Sequence, residues 1–377
     1  MTLICHLGAT LAGFSVNLAS LQALQASLQR RVDDVSAIRQ HFTKIDSSVF
    51  GSGAFLLDLR SSFEAVLQHQ ISTAVDAQLA VQNAANQVQN SRQYYCDTDE
   101  ASAARFDATL PGTPEAAFNE NTESTEVYAG PYHDVNTPLA RLIEPPDYDS
   151  EMTWAPSLAS DLGNVTSFVR AVVKLILGKD PLEVPEQLLS GNWKELRRIA
   201  DRFNNVAWCF YDSCDDIYSC QNDSTHDWIG NTGDNVRAFL VYLAAGFYGE
   251  YRRNEWLAMR LTKLADDLFE GMKTLVDIVS DWVNAKLIPA LAGLGIAAAT
   301  EEVPIADFIT TGAAGFQAYE AIKAGIEVLD QANHVKNIID SFVVGLNVGQ
   351  DGQVNIDVDD APLIPNNADT YATPVGY

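Results

Sequence analysis

Apolar residues recur at steps of three and four along two long tracts of this chain. The first tract reads Leu196, Ile199, Phe203, Val206, Phe210, Cys214 and Ile217. The second reads Val236, Phe239, Leu243, Phe247, Leu257, Leu261, Leu264, Leu268, Leu275, Val279 and Trp282. This is the spacing of one face of an α-helix, so each tract predicts a long amphipathic helix. Residues 221–227 between them are helix breakers and cap formers, and Trp228-Ile229-Gly230 follows. A helical hairpin is therefore predicted from about 192 to 284. W-x-G stands at its bend, and its second arm is about 70 Å long at roughly 1.5 Å per residue.

A weaker copy of the pattern fills residues 1–108. Leu21, Leu24, Leu28, Val35, Ile38, Phe42 and Ile45 form one seam, and residues 46–53 read as a cap-and-glycine turn. Leu56, Leu59, Phe63, Val66, Ala74, Val81 and Val88 form the returning seam. Residues 71–90 are rich in Ala, Gln and Asn, which gives a narrow face suited to close helix packing. Residues 109–160 read as an acidic linker broken by prolines. Residues 161–284 hold the W-x-G hairpin, preceded by a short helix at 164–177 that Pro181 and its neighbours terminate. Residues 285–345 are an apolar helical pair built from small residues. Residues 346–377 form an acidic flexible tail, with a short strand at 354–358. The predicted class is all-α: two long helical hairpins packed as a four-helix bundle, with the small-residue pair beside them. Region 287–329 has two readings, packing on the long arm or insertion into a membrane.

The net charge of -26 changes this picture little, because much of it is local. Residues 97–151 hold 13 acidic and 2 basic residues, and residues 351–377 hold five Asp with no Lys or Arg. Such segments read as solvated, and nucleic acid is excluded as a partner because phosphate binding needs a basic surface. No apolar run reaches the roughly 18 residues of a spanning helix. The first basic residue is Arg30, so Leu3–Val16 has no positive segment before it. The chain is expected to be cytoplasmic, or exported by a route that reads no such signal.

Candidate chemistry is sparse. Cys209, Cys214 and Cys220 fall five and six residues apart, which on a helix exceeds disulfide reach and matches no zinc signature. Buried thiols are expected, with a Cys214–Cys220 bridge open if the helix ends early. None of the six His forms an i, i+4 metal pair. Ser224-Thr225-His226-Asp227 holds triad residue types, but sequence neighbours cannot converge on one reacting atom. Gly293-Leu294-Gly295 lacks the third glycine of a nucleotide loop. No catalytic, cofactor or metal residue is assigned, and the chain is not expected to be an enzyme.

Gly191-Asn192-Trp193, the amphipathic arm, Asp227-Trp228-Ile229-Gly230-Asn231 and the long second arm together resemble the WXG (ESAT-like) family of type VII (ESX) secretion substrates of actinobacteria. The resemblance covers about residues 160–330. Residues 1–108 resemble, more weakly, the short ESX-excreted hairpin proteins. Their bend reads Phe50-Gly51-Ser52-Gly53, without the Trp. The family also carries Y-x-x-x-D/E after the second helix of a hairpin, and Tyr95-Cys96-Asp97-Thr98-Asp99 fits that place. Tyr211/Asp215 and Tyr251/Glu255 match the tetrad too, but lie within helical arms.

The resemblance implies an antiparallel pair of hairpins, with Tyr95 and Asp99 of one beside Trp228 and Gly230 of the other. It implies a non-enzymatic exported protein, cytoplasmic before export and then secreted or held at the cell surface. The secretion motor ATPase would be its partner. Pairing within the chain competes with pairing to a small WXG-like protein or to a second copy. The plainer reading of Trp228 and Gly230 is packing at a bend. The alternative function is a membrane-active helical protein inserting through 287–329.

Overall fold

The computed structural model describes residues 14–50, 54–98, 100–110, 132–148, 179–189, 192–293 and 312–346, and the isolated positions Arg170, Lys174, Leu177, Val348, Leu363 and Ile364. The described elements are a short strand β1 (Ser15–Val16) and helices α1 (Leu18–Phe42), α2 (Ala54–Asp97), α3 (Glu100–Asp107), α4 (Glu183–Leu189) and α5 (Trp193–Asp227). Strand β2 (Trp228–Ile229), helix α6 (Asn231–Asp281), a π-helical turn (Trp282–Leu287), and helices α7 (Ile288–Gly293) and α8 (Gly312–Gly345) complete the order. The fold is all-α. The expected short helix at 164–177 and strand at 354–358 fall almost wholly or wholly outside the described residues.

Each long helix follows its apolar seam. Helix α1 starts where the Asn17 side chain accepts from the backbone N–H groups of Ala19 and Ser20, at 3.1 and 3.3 Å. It buries Leu21, Leu24, Leu28, Val35, Ile38 and Phe42. On α2 the small residues Ala74, Ala77, Ala80, Ala84 and Ala85 are buried beside Val81 and Val88, so the helix lies close to its neighbours. Helices α1 and α5 run antiparallel against each other. Phe42 meets Phe203 at 5.5 Å towards one end, and the Asn17 N–H donates to the Asp227 carbonyl at 2.8 Å at the other. Helices α1, α2, α5 and α6 share one apolar core.

Residues 221–227 are helical rather than broken. Ser224 and Thr225 turn their hydroxyls back onto the carbonyls of Gln221 and Asn222, each at 2.7 Å. Their competing hydrogen bonds are thus made inside the helix, and α5 runs on to Asp227. Cys209, Cys214 and Cys220 all lie on this helix as buried free thiols. Burial pushes the Cys220 thiol up to about 11, and Cys220 meets the Ser27 hydroxyl at 3.2 Å.

Helix α6 has 51 residues and is roughly 75 Å long. Helix α8 returns along it: Trp282 Nε1 donates to the Ala321 carbonyl at 2.8 Å, and Gln331 Nε2 to the Gly271 carbonyl at 3.1 Å. Val328, Ala332, Val335, Ile339 and Phe342 of α8 are buried. The described part of the small-residue region therefore packs on the long arm. Among the described residues no helix is long and apolar enough to cross a membrane, and residues 294–311 of the insertion reading lie outside them.

Within the expected linker, residues 132–148 form a strap across the α1–α5 seam. Arg31 is 2% exposed and faces three carboxylates: Asp34 at 2.9 Å, Asp134 of the strap at 3.0 Å, and Asp216 of α5. The other oxygen of Asp216 accepts from the Val135 and Asn136 N–H groups at 2.8 and 3.0 Å. Arg141 reaches Asp212 at 2.7 Å, and Glu144 bridges Lys44 and Arg202 at 2.7 and 2.6 Å. A proline-broken sequence is held here because its backbone N–H groups find carboxylates on a helix some 80 residues later.

Burial, opposed by Arg31, raises the Asp34 carboxyl from 3.8 to about 6. A carboxyl whose folded value is raised binds its proton more tightly when folded, so its penalty grows as pH rises from 3.8 to about 6 and is complete above. Asp34→Asn should therefore match the wild type below pH about 4 and exceed it above pH about 6, by on the order of 2 kcal/mol. Urea unfolding at several pH values checks this; equal curves at pH 8 would show that Asp34 carries no such penalty.

Candidate functional site

Tyr95, Trp228 and Gly230 meet at one end of the molecule. Trp228 ends α5 in an extended conformation, with φ -139 and ψ 90. Strand β1 pairs antiparallel with it, Val16 opposite Trp228 and Ser15 opposite Ile229. This pairing turns the Trp228 indole inward, where it is 0% exposed, and leaves Ile229 44% exposed. Alternation along even a two-residue strand sends neighbouring side chains to opposite faces.

The Tyr95 ring stands edge-on to Trp228 at 6.1 Å and 90°. Phe14 at 5.8 Å and Tyr94 at 5.6 Å complete the layer around Tyr95, and Phe106 adjoins Tyr94 at 5.8 Å. Perpendicular rings place positive edges on negative faces, the favoured geometry of aromatic pairs. Tyr95 Oη and Trp228 Nε1 are buried without a well-formed hydrogen bond among the described residues. Burial pushes the phenol up to about 12, against a smaller opposing effect of Thr232 and Trp228.

Gly230 makes the turn into α6 at φ +130, in the region that favours glycine. A Cβ there would stand 2.6 Å from Asp107 Oδ2 and 3.1 Å from Phe14. Asp107, at the end of α3, caps the long helix. Its Oδ2 accepts from Asn231 N–H at 2.8 Å, and its Oδ1 accepts from Thr232 N–H at 2.8 Å and the Thr232 hydroxyl at 2.6 Å. A carboxylate at a helix N-terminus satisfies orphan donors and opposes the positive end of the helix dipole. Asn231 Nδ2 returns bonds to the carbonyls of Asp107 and Leu110, at 3.1 and 3.0 Å. The first hairpin's tail thus closes on the second hairpin's bend.

Gly230→Ala should lower stability by about 2–3 kcal/mol, combining backbone strain with displacement of the Asp107 cap. Chemical denaturation measures it; a loss below about 0.5 kcal/mol, the range of neutral surface changes, would mean that this end is loosely packed.

The other sequence-predicted positions fall elsewhere. Phe50 is buried against Phe63 at 5.0 Å, near Phe203 and so at the opposite end from Trp228. There the Asn192 N–H donates to the Val49 carbonyl at 2.6 Å. Gly51 and Asp99 lie outside the described residues. Tyr211 and Tyr251 pack together at 5.1 Å within a half-exposed aromatic cluster with Trp208, and Tyr251 Oη donates to Glu255 at 2.7 Å. Asp107 and Phe14 were not anticipated. A cap 124 residues from the helix it serves leaves no local pattern. Among the described residues no group of three or more His, Cys, Asp or Glu side chains is placed to hold a metal ion.

No protein-family model, curated protein or solved structure matches this chain.

Proposed function

We propose that this protein is a non-enzymatic substrate of type VII (ESX) secretion, or an adaptor exported with one, whose export signal is shared between two hairpins of a single chain. The contact of Tyr95 with Trp228 carries this reading: the tyrosine of the motif on one hairpin stands against the tryptophan of the W-x-G bend of the other. In the two-protein arrangement expected of the family, each partner brings one half of that contact. Here the strap and the α1–α5 seam supply the association that a separate partner would otherwise provide. The secretion motor ATPase is the proposed partner, and the protein reaches the culture medium or cell surface after a cytoplasmic stage.

Tyr95 and Trp228 are 4% and 0% exposed, so in the folded protein the machinery reads the surface they shape rather than their rings. Ile229 is the apolar side chain left outward at the bend. The test is export from an actinobacterial host with and without the motor ATPase, followed in the culture filtrate. Motor-dependent export that is lost in Ile229→Asp, with the melting temperature unchanged, is the expected result. Retention of the wild type in the cytosol, or motor-independent appearance outside, would overturn the proposal.

A further inference from the structure

The chain has 50 acidic and 24 basic residues, so a cation has carboxylates to choose from. Arg260 on α6 nevertheless forms no ion pair with a carboxylate among the described residues. Its guanidinium stacks over Trp256 at 4.8 Å and lies against Gly345, where a Cβ would overlap Nη2. Its Nε is enclosed without a hydrogen-bond partner. Nearby acids are engaged elsewhere: Asp267 holds Lys263 at 2.7 Å, and Asp266 holds Arg197.

Arg260 borders a groove of about 290 Å³ between α6 and α8. Leu264, Ile338 and Phe342 give it an apolar lining, and Asn337 and Ser341 add neutral polar groups. The volume is at the small end of ligand clefts, and apolar walls with a few placed polar groups are their usual make-up. With Lys263 paired to Asp267 and the exposed His334 at the rim, the groove offers one fixed cation without a carboxylate partner among the described residues, the planar fork of Arg260. Such a fork matches a carboxylate in a bidentate arrangement.

We propose that this groove binds an amphiphilic monocarboxylate, its carboxylate on Arg260 and its short apolar body along Leu264, Ile338 and Phe342. The site lies on the α6–α8 face, apart from the Trp228 end, and does not depend on the export reading. Helix α8 supplies one wall, so ligand binding ties α8 to the long arm.

Isothermal titration of the full chain with octanoate tests the proposal, with octanol as the uncharged probe of equal tail. The expected result is saturable octanoate binding in the submillimolar range and at least tenfold weaker octanol binding. Arg260→Gln should weaken octanoate at least tenfold while the unliganded variant still unfolds in one cooperative transition, as the wild type does. Ile338→Asp, which places a charge on the apolar wall, should also abolish binding. Equal binding of octanoate and octanol, binding indifferent to Arg260→Gln, or no binding up to about 10 mM would each overturn the proposal.

Discussion

Trp228→Ala is expected to lower the unfolding free energy by about 3–5 kcal/mol, the range for truncating a fully buried large aromatic. The indole is 0% exposed and fills the layer between Tyr95, strand β1 and the first turn of α6. The surroundings cannot collapse readily into the space left. Gly233 already lies so close to the Trp228 carbonyl that a Cβ would overlap it, and Arg237 is tied to that carbonyl at 2.9 Å. Tyr95→Phe should by contrast cost at most about 1 kcal/mol, because it keeps the ring and removes only a hydroxyl whose polar contacts with Thr232 and Trp228 are loose. Denaturant unfolding of the two variants side by side checks this. A Trp228→Ala cost below about 1 kcal/mol would mean that the end relaxes freely, and that Trp228 does not organise the junction of the hairpins.

The second large effect is expected at Arg31→Ala. Removing this side chain, 2% exposed, leaves Asp34, Asp134 and Asp216 facing one another at the α1–α5 seam without their shared cation, and of the three Asp134 keeps Arg30 at 2.7 Å. Breaking a buried ion pair by removing one partner costs about 3–5 kcal/mol, since the remaining charges stay desolvated. The sign of the pH dependence follows. Without Arg31 the Asp34 carboxyl, already raised to about 6 by burial, loses the charge that favours its ionised form and holds its proton to higher pH, so the loss should be largest near pH 8 and shrink towards pH 5 as Asp34 neutralises. Unfolding curves at pH 5 and pH 8 measure this. A cost that is small, or equal at both pH values, would show that the cluster is solvated in solution and does not clamp the strap to the seam.

The helices and their partners within each hairpin were legible from the chain alone. The 3–4 steps from Leu196 to Ile217 and from Val236 to Trp282 reappear as the buried faces of α5 and α6, because a seam at helical spacing can be hidden only against another helix. Buried thiols at Cys209, Cys214 and Cys220 were legible because steps of five and six on a helix exceed disulfide reach and match no zinc signature. Local pattern misjudged residues 221–227, where Ser, Thr and Asn form hydrogen bonds compatible with the helix they were expected to end. It also read residues 132–148 as plain linker, since nothing in a proline-rich acidic stretch shows that Arg30, Arg31 and Asp216 wait on distant helices.

The candidate site divides in the same way. Trp228, Gly230 and Tyr95 stood out as residue types at helix ends, but their meeting depends on how one hairpin is laid against the other. Asp107 could be found only in three dimensions, because a carboxylate becomes the cap of α6 once α3 is folded beside it. Period and composition determined the all-α class and the hairpins, since these depend on neighbours three and four residues away. Long-range charge pairing, the buried Trp228 end and the Arg260 groove were decided by the tertiary structure. Their energies come from desolvation and from contacts between distant segments, such as Ser15 opposite Ile229, 214 residues apart, which no local pattern records.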